Sequence, residues 1–75
     1  MINLATLLAF GKKAVELGGV ALAKAPEFVD LYHEATAALH PADQATAKEA
    51  YNDLIAENDE GFARLDAKLE EAKKR

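Results

Sequence analysis

Two prolines constrain this chain more than any other feature. Pro26 and Pro41 disfavour helical geometry at the residues before them, Ala25 and His40, yet each is welcome in the first turn of a helix starting there. They cut 75 residues into three stretches whose apolar positions recur at helical spacing. The sequence therefore predicts an all-α chain with helices over about 2–24, 27–39 and 42–73. Alanine supplies 17 residues and leucine ten, while only eight are β-branched, so strands are disfavoured.

In the first stretch Leu4, Leu8, Gly11, Val15, Gly18, Leu22 and Ala25 alternate spacings of four and three, a seam of coiled-coil type. Lys12, Lys13, Glu16 and Lys24 lie on the opposite face. Glycine inside a helix costs about 1 kcal/mol relative to alanine, so the two seam glycines need a reason. Gly18-Gly19 could cap the helix and end it early. Alternatively, Gly11 and Gly18 let a ring or a partner backbone approach closely. The second reading is adopted because Val20 to Ala25 resumes the apolar face in phase.

The second stretch groups Phe28, Leu31, Tyr32, Ala35 and Leu39, with Glu27, Asp30 and Glu34 opposite. In the third, Ala47, Tyr51, Leu54, Asn58, Phe62, Leu65, Leu69 and Ala72 form one stripe. Glu60 and Arg64 stand at the favourable i,i+4 spacing. The weak point is Glu57 to Gly61, which also reads as a loop. A continuous helix is expected because Phe62, Leu65 and Leu69 stay in phase with Tyr51 and Leu54. Asn58 then falls in the centre of the stripe, where a buried amide would fix register; a local break would instead expose it.

At 1.5 Å per residue the three helices span roughly 34, 20 and 48 Å. Only the first two end to end match the third. The expectation is a single domain over 1–75, built as a helical hairpin whose first arm bends at Pro26. Tyr51 would then lie beside Asp30, and the Phe62 ring would fill the space at Gly18 and Gly19. A compact three-helix bundle is the alternative. With no cysteine there is no disulfide staple, and a domain this small needs well-packed helices or association. Phe10, Leu17 and Ala21 flank the seam uncovered. Pairing of two hairpins into a four-helix-type bundle follows, most simply as a homodimer or else with a protein target. The expected interface is Leu4, Leu8, Gly11, Val15, Gly18, Leu22, Leu54, Asn58, Phe62, Leu65 and Leu69.

Chemistry is poorly provided for. The chain contains neither serine nor cysteine, so those nucleophiles are excluded, and its four glycines form no phosphate-binding loop. Asp30, His33 and Glu34 offer ligand-like atoms within one turn but read as a solvated helix side. A calcium loop aligned on Gly61 fails at Ala56 and Ala67, where its first and last carboxylates belong. No catalytic residue, cofactor or metal is expected. Net charge is −4 and neither half is basic, which disfavours direct contact with nucleic acid. The apolar start, Met1 to Phe10, lacks the preceding positive charge of an export signal, and Lys12, Lys13 and Glu16 interrupt it well short of a membrane span. A cytoplasmic chain is expected. No family motif stands out; in composition alone the chain resembles small alanine-rich helical proteins of bacteria and their phages, which implies no activity.

The function read from the sequence is thus a non-catalytic protein–protein interaction or oligomerisation module. A different class is an acidic inhibitor that covers a basic, nucleic-acid-binding surface of a target with Asp53, Glu57, Asp59, Glu60, Asp66 and Glu70. A third reading is a peripheral membrane protein, using small residues at Gly11, Ala14, Gly18 and Ala21 with Lys12 and Lys13 opposite.

Overall fold

The computed structural model describes residues 2–74, and these form helices without strands: α1 (Leu4–Ala23), α2 (Pro26–Ala37), α3 (Pro41–Leu54) and α4 (Asp59–Lys73). Each start has a local cause. The Asn3 side chain accepts the backbone N–H of Thr6 at 2.8 Å and caps α1. Both α2 and α3 begin on their prolines, and His40 caps α3 through Nδ1, 3.3 Å from Ala42 N. Gln44 closes the turn before α3, donating to the Leu39 carbonyl at 2.9 Å and so satisfying an acceptor beyond the end of α2.

The expected helix over 42–73 is two helices. The chain leaves α3 at Leu54, passes through Glu57 at φ 59°, and restarts at Asn58. Asn58 is extended, and its side chain accepts the Gly61 N–H at 2.7 Å. Asp59 and Glu60 then occupy the first turn of α4, where the helix dipole favours negative charge. Asn58 is therefore an exposed cap, not a buried register residue. The apolar stripe runs in phase through this break because α4 folds back and shares one core with α3.

That break removes the long arm of the hairpin. The molecule's greatest extent is 28 Å, too short for a rod of ~48 Å. Helices α1 and α3 pack together at the centre; α2 and α4 each touch both of them but not each other. Four helices are packed within one chain, so matching arm lengths no longer argue for a second. The core holds Leu7, Leu8, Leu54 and Leu65, each almost wholly removed from solvent. Burying each contributes roughly 1.5–3 kcal/mol.

The glycines divide. At Gly11 the close approach is present: an added Cβ would lie 3.3 Å from Leu54 Cδ2 and 3.6 Å from Tyr32 Cε2. Gly19 instead breaks α1, at φ 71° and ψ −177°, a region open essentially to glycine alone. Phe62 does not fill this space, since nothing lies within 4 Å of a Cβ built on Gly19. The neighbour of Gly18 is Leu22, whose Cδ2 would stand 2.6 Å from an added Cβ. Tyr51, expected beside Asp30, packs against Tyr32 and the end of α1. Its ring lies 5.3 Å from that of Tyr32, and its hydroxyl donates to the Ala23 carbonyl at 2.9 Å, tying α3 to the end of α1.

Candidate docking groove

The break at Gly19 and the restart at Pro26 turn the chain so that α2 runs back beside α1. Between them lies an apolar groove of about 360 Å³. Phe10 and Phe28 stack along it with ring centroids 5.2 Å apart and planes 14° from parallel. Leu17 and Leu22 come from α1, and Leu31 from α2. Leu17 is 76% exposed, Leu31 57%, and Phe10 and Leu22 42% each. Single exposed leucines are ordinary on any surface. Here four large apolar side chains line one recess. Lys13 and Glu27 also line the groove. Neither is in an ion pair among the described residues.

The expected interface residues are mostly placed elsewhere. Leu4, Leu8, Val15, Leu54, Leu65 and Leu69 belong to the chain's own core, and Gly11 is buried with them. Phe62 packs half-buried against that core. Gly18 is exposed and Asn58 caps α4. Of the expected set, only Leu22 opens on the groove. Phe10 and Leu17 were legible as uncovered residues beside the seam. Leu31 was not, because its spacing fits the apolar face of α2 equally well.

The acidic surface is also rearranged. Asp53 is buried; Lys68 Nζ donates to one carboxylate oxygen at 2.5 Å and Arg64 Nε to the other at 2.9 Å. Burial opposes its ionisation, but the hydrogen bonds and charges of Lys68 and Arg64 prevail and hold the carboxyl below its ordinary pKa. Arg64 thus serves Asp53 and not Glu60. Asp66 pairs with Lys12 at 2.7 Å, which raises the lysine's pKa. Glu57, Asp59, Glu60 and Glu70 remain exposed.

A smaller cleft of about 180 Å³ lies between α2 and α3, lined by Tyr32, His33, Thr36, Lys48, Tyr51 and Asn52. Its two phenols are already engaged, Tyr32 donating to the Ala47 carbonyl at 2.8 Å and Tyr51 to that of Ala23. Burial, reinforced by Tyr51 and Asp53, pushes the Tyr32 phenol well above its usual range, so it is no base. Asp30, His33 and Glu34 are exposed on α2. Among the described residues no group of three or more His, Cys, Asp or Glu is placed to hold a metal ion. Among the same residues no helix is long and apolar enough to cross a membrane. No protein-family model matches the chain, and no curated protein or solved structure matches it.

Proposed function

We propose that this protein is a non-catalytic, cytoplasmic interaction module that docks a protein partner in the groove between α1 and α2. One observation carries the reading: Phe10, Leu17, Leu22 and Leu31 stay exposed together although the chain has closed a complete core without them. Leaving so much apolar surface in water is unfavourable unless a partner covers it. The acidic-inhibitor reading has less support, because Asp53 is spent inside the fold and Asp66 is paired with Lys12. A membrane-surface role would call for cations along the polar face, and the groove offers Lys13 opposed by Glu27.

Site-specific photo-crosslinking in cells tests this. A photoreactive residue at Leu17 is expected to give a discrete cross-linked protein species, while one at Glu49, exposed on α3, gives none. Equal products at the two positions, or none at Leu17, would contradict the reading.

A further inference from the structure

We infer that the occupant of the groove is a second copy of this chain, bound about a two-fold axis so that Lys13 of each protomer meets Glu27 of the other. The inference rests on the groove being a docking surface and adds the identity of its partner.

A two-fold interface joins one surface patch to itself, so the patch must be complementary to itself. This one is so in charge. Lys13 comes from α1 and Glu27 from α2; both line the recess, and neither forms an ion pair among the described residues. A two-fold axis running between and along the two helices sets α1 of one protomer against α2 of the next, and each of these charges then meets its opposite. A strongly acidic or strongly basic partner segment would gain from one of these residues and be repelled by the other. The patch also offers both projections and a recess. It carries side chains that stand out, Leu17 at 76% exposure and Leu31 at 57%, beside a recess of about 360 Å³ floored by the Phe10–Phe28 stack. Projections of one copy can enter the recess of the other. Desolvated apolar anchors at the centre with charges at the rim is the usual anatomy of a protein interface.

Sedimentation equilibrium on the full chain tests the inference with charge swaps. All the substituted positions lie on the surface, and melting curves check that the variants fold. Wild type is expected to form a dimer that dissociates on dilution. Lys13→Glu and Glu27→Lys each set like charges together twice across the axis, and each alone should weaken the dimer about tenfold or more. A 1:1 mixture of the two variants restores both pairs, as does the double variant in one chain, and both should recover the dimer. Leu17→Asp should weaken it by roughly a hundredfold. A wild type monomeric up to about 1 mM overturns the inference. So does a dimer indifferent to Leu17→Asp, or a mixture no tighter than its separate components. If wild type is monomeric while the Leu17 cross-link joins a different protein, the second copy is excluded and the docking groove stands. If no cross-link forms either, both fall.

Discussion

The junction of α3 with α4 and the junction of α1 with α2 are made from opposite materials. At the first, polar groups are fully matched: Asn58 caps α4, and Asp53 is gripped by Arg64 and Lys68 from the next helix. Gly61 lets the two helices meet so closely that an added Cβ would stand 2.7 Å from the Asp53 carbonyl oxygen. At the second, a glycine break and a proline restart leave a recess lined with leucine and phenylalanine, and Lys13 and Glu27 form no ion pair among the described residues. A buried charge clamp specifies one geometry and leaves nothing for a partner. An open apolar recess is weakly specified by its own chain and gains from being covered.

The contrast can be broken by substitution, and the largest effect is expected in the core. Leu54 is 1% exposed, and Leu54→Ala should cost about 3–4 kcal/mol in chemical denaturation. A loss under 1 kcal/mol would mean the core is not sealed. Next comes the clamp. Asp53→Asn keeps the shape but removes the charge, and should cost about 2 kcal/mol at neutral pH. The carboxyl's pKa is lowered on folding, so the unfolded chain binds its proton first. Its stabilisation is complete above about pH 5 and is lost as pH falls through the ordinary aspartate value towards the lowered one. Wild type should therefore weaken in acid more steeply than Asp53→Asn; parallel profiles would dismiss the clamp.

Gly19→Ala should cost about 1–3 kcal/mol by backbone strain alone, since the space around it is open. Neutrality there would show that α1 runs straight. The smallest effect on the isolated fold belongs to Leu17→Asp, expected within about 0.5 kcal/mol of wild type at concentrations where the chain is monomeric. A large loss would place Leu17 inside the fold and close the groove.

Much of this was legible in the residues. Alanine and leucine at helical spacing gave helices, and two of the four starts, expected at 27 and 42, fall one residue earlier on Pro26 and Pro41. Phe10 and Leu17 stood out as uncovered. The break before Asn58 was hidden because a helix that folds back onto its neighbour keeps its apolar face in phase with it, as Phe62, Leu65 and Leu69 do. The signal that could have exposed it was Asn58 followed by Asp59 and Glu60, a cap with two acids in the first turn. Once that helix is cut in two, the seam Leu4-Leu8-Gly11-Val15 becomes interior and the exposed large apolar side chains lie on its flank. Asp53 could not have been placed, because its burial depends on where Arg64 and Lys68 arrive after the turn.

The most direct test follows leucine methyl resonances by NMR as the chain is concentrated from roughly 20 μM to 1 mM. Leu17, Leu22 and Leu31 should shift or broaden together, while Leu54, Leu65 and Leu69 hold their positions. Movement of the second set with the first unchanged would contradict the account, for it would put the contact on the seam and leave the α1–α2 groove empty.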